Sequence, residues 1–369
     1  MRGAANVTRT QVWDYREEYA ALRDEVLAAV DSVFASGQLI LGERVARFEA
    51  ELSTRLGLAH GIGVGTGTDA LFLALRALGV GPGDEVITVS FTAVPTVAAI
   101  ASTGASPVFV DVHPKTLLMD PGALRAALSE RTRCIIPVHL YGQCAPMAEI
   151  LQWAGEVAVL EDCAQSTGAS RADRSAGSFG RAAALSFYPT KVLGAYGDGG
   201  MIVTDDPTLA ERCRALRMYG MRDRYVSEEH GYNSRLDEVQ AAILSVKLAH
   251  LDADLRARRQ LAGRYDEALR ELPLERVDHG PIEEHAFYLY VVRHPERDRI
   301  LRQLRERDIH LNASYAVPVH RMAPYAGCRR VGGMEATDGA ASEVFSLPMY
   351  PTLGEERQTG VIDALQELL

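Results

Sequence analysis

Residues 85–112 read EVITVSFTAVPTVAAIASTGASPVFVDV. Two β-rich apolar runs, 85–90 and 107–112, flank a helical stretch at 93–102, and Gly104 marks the return. A strand, a helix and a second strand without a tight turn between them make a crossover, the connection that joins parallel strands. Residues 86–110 carry no charge, but Pro95, Gly104 and Pro107 interrupt them too often for a membrane helix.

The same alternation continues outward. Further β-rich runs lie at 134–140, 157–163, 183–189 and 200–205, with helical patterns at 121–128 and 145–154. Upstream, Val45, Phe48, Leu52 and Leu56 have helical spacing in 44–56, residues 24–34 repeat it, and a helix over 68–78 stops at Gly79. The reading is an α/β fold whose large domain has a mostly parallel sheet between helices. From Asp237 the pattern changes to a long helix over 238–272 with an arginine-rich polar face. A strand at 287–292, a helix at 297–307 and a last helix ending at Leu369 follow. We expect a large domain over 1–249, N-terminal segment included, and a smaller C-terminal α+β domain over 250–369.

The chain has 369 residues, 47% apolar and 24% charged, as a globular protein does. Lys and Arg number 39 against 49 Asp and Glu, a net charge of −10, which repels a polyphosphate backbone and speaks against nucleic acid as partner. The five cysteines form no CxxC pair, so neither a disulfide framework nor a structural zinc site is expected. The first residues lack the apolar core of a signal peptide. The expectation is a cytoplasmic protein with no membrane partner and no metal.

Three segments carry chemistry. In SFYPTKVLGAYGDGG, residues 186–200, Lys191 follows an apolar strand and precedes four glycines in seven residues. A lysine desolvated there favours the neutral amine, the form that makes a Schiff base, whereas a lysine on an open turn stays solvated. In VAVLEDCAQ, residues 157–165, a buried strand ends on Asp162, a carboxylate able to hold a protonated ring nitrogen or to cap a following helix. In GIGVGTGTDALFLAL, residues 61–75, small residues run straight into a helix, leaving free backbone N–H groups for a phosphate. Gly65, Gly67 and Ala70 also fit the GxGxxA dinucleotide fingerprint. That reading fails on position, because Asp84 and Glu85 precede the next strand whereas a ribose-binding acid follows it. A phosphate cradle, a carboxylate and a lysine together describe a site for pyridoxal 5′-phosphate (PLP).

With those motifs in view, the chain resembles the DegT/DnrJ/EryC1/StrS family, nucleotide-sugar aminotransferases of PLP fold type I. The likeness runs in family order through SGQLILGERVARFE (36–49), GTGTDAL (65–71), LEDCAQSTGA (160–169), SFYPTKVLGAYGDGG (186–200), GYNSRLDEVQAA (231–242) and SLPMYPTL (346–353). The resemblance implies that Lys191 carries the cofactor as a Schiff base and that Asp162 pairs with its ring nitrogen. It implies that Gln165 lies beside the ring, that Gly67, Thr68 and Ser186 hold the phosphate, and that Asn233 reaches the cofactor phosphate of a neighbouring subunit. A homodimer with shared active sites follows, with the cofactor passing through its pyridoxamine form (PMP).

The chain departs from the family pattern in two places. The aromatic residue common over the cofactor ring aligns with Ala93, leaving Phe91, two positions away, as the nearby aromatic candidate. The His-Tyr-Pro segment near the family's sugar reads Ser314-Tyr315-Ala316, with His320 retained. Phe91, Tyr315, His320 and the loop arginines Arg222 and Arg224 are the substrate-side candidates. His320 serves equally as substrate donor or core residue, and Arg222 and Arg224 as diphosphate donors or members of a solvated loop. His113 and His139 have no partner at metal-ligand spacing and are read as structural, and Cys163 as a small core residue.

The resemblance implies transfer of an amino group from L-glutamate to a nucleotide-linked keto-deoxysugar, dTDP being the nucleotide class. The small residue at Ala93 leans toward a ketone at C3, with C4 as the alternative. Family dehydratases usually replace the lysine with histidine, so Lys191 speaks against that class. A non-catalytic regulatory or binding protein on the same fold is the other alternative. Antibiotic and surface-glycan biosynthesis both use such products.

Overall fold

The computed structural model describes residues 9–369 apart from Arg224. Its main sheet contains, in chain order, β1 His60–Val64, β2 Glu85–Val89, β3 Ser106–Val110, β4 Thr132–Ile136, β5 Ala158–Asp162, β6 Ala182–Ser186 and β7 Gly200–Thr204, with a short edge strand Arg329–Arg330. Across the sheet the order is Arg329–Arg330, β3, β2, β4, β5, β6, β7, β1. Neighbours run parallel except β7, which is antiparallel to both β6 and β1. The link from β6 to β7 holds no crossover helix, so the chain returns alongside itself.

Alternate residues of each strand feed opposite cores. Ile87, Val89, Ile135 and Val159 enter one, and Val86, Cys134, Ile136 and Leu160 the other. Helices cover both faces: α1 Arg16–Ser36, α2 Glu43–Leu56, α3 Gly67–Ala77 and α4 Val94–Ser102 are those nearest the argument below.

The C-terminal part forms a three-stranded antiparallel sheet, Glu275–Arg276, Tyr290–Arg293 and Val344–Leu347, backed by helices that include Arg297–Arg305 and Glu355–Leu368. Tyr265, Ile300, Leu304, Phe345 and Leu365 lie in its core. The fold is thus the large α/β domain with a smaller C-terminal α+β domain. At the other end of the chain, Thr10–Gln11 pairs in parallel with Ile309–His310.

Several elements differ from the sequence reading. The first helix begins at Arg16, well before residue 24, and the long helix closes at Ala268. Arg258 does not lie on a polar face: it is buried, and its Nη1 donates to the carbonyls of Phe287 (3.0 Å) and Met349 (2.7 Å). Helix Pro207–Leu216, capped by Asp206, was not anticipated. Nor was β1, whose glycines lower its strand propensity. A Cβ on Gly61 would stand 2.6 Å from the Glu49 carbonyl oxygen, so glycine is needed for α2 to lie this close. Among the described residues no helix is long and apolar enough to cross a membrane.

Candidate active site

The segments leaving β1, β2, β5 and β6 meet at the carboxyl ends of parallel strands, where an open α/β sheet forms its binding crevice. They enclose a cavity of about 320 Å³, lined by Thr66, Gly67, Thr68, Thr92, Ala93, Thr96, Asp162, Gln165, Ser186, Tyr188 and Lys191 among others.

One end of the cavity is the start of α3. Extended Thr66 caps the helix, its hydroxyl accepting the Asp69 N–H at 3.0 Å, so the N–H groups of Gly67 and Thr68 in the first turn lack intrahelical acceptors. The end of β6 closes on this turn: a Cβ on Gly67 would stand 2.6 Å from Ser186 Cβ. Behind it, Ser234 Oγ accepts the Gly65 N–H at 2.9 Å and donates to Asp69 Oδ2 at 2.8 Å.

The other end belongs to Asp162. Its Oδ2 accepts from Thr96 Oγ1 at 2.8 Å and its Oδ1 from the Ala164 N–H at 3.1 Å, while Thr96 and Thr92 share a 3.0 Å hydroxyl contact. Burial pushes the Asp162 carboxyl above its ordinary value, against the opposing pull of Thr96, Ala164 and the Lys191 charge. A buried carboxylate of this kind is stabilised by a cation placed against it. Lys191 follows the turn closed by its N–H to the Tyr188 carbonyl at 2.8 Å; its Nζ makes no ion pair among the described residues and lies over the Tyr288 ring, 4.3 Å from the centroid. An anion cradle, a desolvated carboxylate and an amine on one cavity fit the phosphate, the ring nitrogen and the aldehyde of PLP.

Beneath Asp162 the next residue back works differently. Glu161 accepts from His139 Nε2 at 2.8 Å and from the N–H groups of Gly177, Phe179 and Gly180. Burial alone would push the Glu161 carboxyl up, but His139 and the Gly180 and Gly177 N–H groups outweigh it and hold it below its ordinary value. His139, read from sequence as having no partner at metal-ligand spacing, thus sits with Glu161 and Cys163 in a buried cluster within 4.8 Å. The Ala145 N–H donates to His139 Nδ1 at 2.9 Å, which occupies the other ring nitrogen. The Cys163 thiol is pushed up to about 11 by burial and packs as a core residue.

Gly67, Thr68, Asp162, Gln165, Ser186 and Lys191 therefore come together, as does Ala93. Gln165 is held on both sides: Oε1 accepts the Tyr141 N–H and Nε2 donates to Tyr315 Oη, each at 2.8 Å. Phe91 does not line the cavity. It is fully buried, edge-on to Tyr141 and Tyr315, with centroids 6.4 and 6.2 Å away. His320 is buried, with Nδ1 2.7 Å from Ser90 Oγ and its N–H donating to the same oxygen at 2.9 Å. Asn233 is exposed and outside the cavity of its own chain. Arg222 lies on an exposed hairpin, paired with Glu228 at 3.0 Å, and Arg224 falls outside the described residues.

Thr96, Tyr188 and Tyr288 were missed. Thr96 is the third residue of α4, and only the placement of that helix beside the end of β5 brings it to Asp162. Tyr188 stands in the motif already read around Lys191, where its aromatic character next to a strand end was the available signal. Tyr288 reaches Lys191 from the segment just before strand Tyr290–Arg293, and nothing local announces it.

Comparison with known proteins agrees with this geometry. Residues 20–366 match the family described as DegT/DnrJ/EryC1/StrS aminotransferases. The chain is 50% identical to a dTDP-3-amino-3,4,6-trideoxy-alpha-D-glucose transaminase of Micromonospora megalomicea subsp. nigra, over 98% of this chain and 99% of that one. It is 45% identical to a protein of Geobacillus stearothermophilus named pleiotropic regulatory protein, over 96% and 97%. The crystal structure of Streptomyces venezuelae DesV in complex with a ketimine intermediate superposes with a TM-score of 0.94 at 42% identity, covering 98% of both chains. The cavity geometry, the full-length match and the shared fold lead to one statement: the chain belongs to the DegT/DnrJ/EryC1/StrS aminotransferase family.

Proposed function

We propose that the protein is a PLP-dependent aminotransferase that turns a nucleotide-linked keto-sugar into the amino-sugar, with L-glutamate as donor. The observation that carries this reading is the meeting of Lys191, Asp162 and the first turn of α3 on one cavity. When bound, PLP supplies an aldehyde that condenses with amines and a protonated ring that withdraws electrons from the attached carbon. The chain's own residues do the rest. The N–H groups of Gly67 and Thr68 and the Ser186 hydroxyl bind the phosphate. Asp162 holds the proton on the ring nitrogen and Thr96 keeps the carboxylate aimed. Gln165, held by Tyr141 and Tyr315, would lie beside the ring. Lys191 Nζ would be the attachment point and, as a free amine, the base that takes and returns the donor's Cα proton.

The Micromonospora relative's name puts the new amino group on C3 of a dTDP-linked sugar, which together with the small side chain of Ala93 supports a 3-keto, dTDP-linked substrate. Amination at C4 is the alternative within the family. The Geobacillus relative's name favours a second reading, a regulatory protein on the same fold; a lysine and carboxylate facing one cavity favour turnover.

The active form in this reading is a cytoplasmic homodimer with shared sites, Asn233 reaching the neighbour's phosphate. Its support is the exposure of Asn233 next to Ser234, which is bonded to the phosphate helix, and the exposed apolar side chains of Phe34, Leu39, Ile40 and Tyr188. We place the division between domains 1–249 and 250–369 within the long helix; Leu251 and Leu255 still pack in the large core and Leu261 in the small one, so the change of core falls a little beyond that division. The test is transfer of ¹⁵N from labelled L-glutamate across a panel of 3-keto and 4-keto sugar nucleotides, read by mass spectrometry. A labelled 3-amino product is expected. Transfer to the 4-keto sugars alone reassigns the position, and no transfer to any member overturns the aminotransferase reading.

A further inference from the structure

The catalytic lysine of this reading touches a side chain from the other domain. Lys191 Nζ lies 4.3 Å from the centroid of the Tyr288 ring, and the Tyr288 hydroxyl lies 3.1 Å from Thr190 Oγ1. One tyrosine therefore meets Thr190 and Lys191, two adjacent residues of the turn that presents the amine. Its own position is fixed independently of the lysine. The Ala286 N–H donates to the Gly142 carbonyl at 2.9 Å, the Leu289 N–H to the Tyr141 carbonyl at 3.2 Å, and Arg258 Nη1 to the Phe287 carbonyl at 3.0 Å. Gly142, at φ 106°, makes this docking possible, since a Cβ there would stand 2.9 Å from the Tyr288 nitrogen.

We infer that Tyr288 is a positioning residue for Lys191: its ring face holds Nζ in the cavity for attack on the cofactor aldehyde, and its hydroxyl fixes the turn through Thr190. The inference rests on the PLP reading above. The ring quadrupole draws the resting ammonium to its face, so the amine that forms when the proton is lost already stands at the cavity. A long side chain held this way also loses rotamer freedom before the reaction rather than during it.

The experiment compares wild type, Tyr288→Phe and Tyr288→Leu, all stripped of cofactor. Covalent attachment of PLP is followed as the rate at which borohydride-trapped label appears on the Lys191 peptide. Affinity for PMP, which binds without forming a bond to the lysine, is measured alongside. In Tyr288→Leu attachment should slow by roughly three- to tenfold, the cost of the rotamer freedom that the lysine side chain regains, while PMP affinity is unchanged. Tyr288→Phe keeps the ring and should retain most of the rate. A general loss of structure would lower PMP affinity as well, so a parallel fall in both quantities overturns the positioning role. If Tyr288→Leu does not fold, Tyr288→Met, of similar reach, replaces it under the same criteria. Wild-type attachment with an equal rate in the folded ring-less variant overturns this inference alone. No attachment to Lys191 in the wild type overturns the PLP reading and this inference with it.

Discussion

Gly67 and Ser186 touch with no room for a side chain between them: a Cβ on Gly67 would lie 2.6 Å from Ser186 Cβ and 2.9 Å from its Oγ. The contact brings the free N–H groups of a helix start and a serine hydroxyl onto one point in space, the requirement for gripping a phosphate. Gly67→Ala forces α3 and β6 apart at an overpacking cost of about 1–3 kcal/mol. PLP affinity should fall by roughly tenfold or more, measured by equilibrium dialysis with PMP as well as PLP. Unchanged affinity for both would remove the cradle from the site.

Asp162 has the opposite character, a carboxylate raised by burial and steadied by Thr96. Asp162→Asn keeps the shape and removes the charge that holds the ring proton. Turnover should drop by about 10²-fold or more while PMP affinity changes little. Thr96→Val should move turnover the same way by a smaller step. A fall in PMP affinity matching the loss of turnover would make Asp162 a binding residue only.

The sequence left His320 between two roles, and the packing favours the structural one. His320 joins the short helix Val319–Arg321 to Ser90 at the end of β2, and the Val319 N–H donates to the Ser90 carbonyl at 3.1 Å. His320→Ala leaves the buried Ser90 hydroxyl short of a partner, a loss of about 1–3 kcal/mol. Denaturant unfolding should show that loss while KM for the sugar nucleotide stays near wild type. A large rise in KM at unchanged stability would restore the substrate role.

A pH effect on stability is expected from a pair that does not line the cavity. His279 Nε2 lies 3.0 Å from Asp266 Oδ2, and Tyr290 and Arg276 also donate to Asp266. Burial pushes His279 down, but Asp266 outweighs it and leaves the imidazole above its ordinary value. Burial likewise pushes Asp266 up, and His279 and Tyr290 overcome it, leaving the carboxyl below its ordinary value. A raised histidine contributes fully below about pH 6.5 and loses that contribution as pH rises through its folded value. A depressed aspartate contributes above about pH 4 and loses it as pH falls through its folded value. The melting temperature of wild type should therefore decline relative to His279→Asn above pH 6.5, by on the order of 1 °C. Parallel profiles for the two proteins would contradict the assignment.

What could be read from the sequence follows a physical division. Asp162, Ser186 and the turn at Gly67 sit at the end of a strand or the start of a helix, and Lys191 on the glycine-rich loop after β6, so local pattern places them, and all line the cavity. Thr96 and Tyr288 owe their roles to which elements pack together, which no local period encodes. Arg222 looked available to an anion because sequence does not display its hairpin partner Glu228. The antiparallel β7 escaped for a related reason: its apolar run resembles the parallel strands, and only the helix-free link from β6 sets its direction.

The central claim is that Lys191 and Asp162 run an amino-transfer reaction on PLP. Its most direct measurement is the visible spectrum of the PLP-loaded protein before and after addition of L-glutamate, for wild type and Lys191→Ala. Wild type should show the absorption of a lysine-bound cofactor and lose it to the PMP spectrum on adding glutamate. Lys191→Ala should fold, show no lysine-linked band and convert at least about 10³-fold more slowly. A wild-type protein that forms no such band, or a Lys191→Ala variant that converts at the wild-type rate, would contradict the claim.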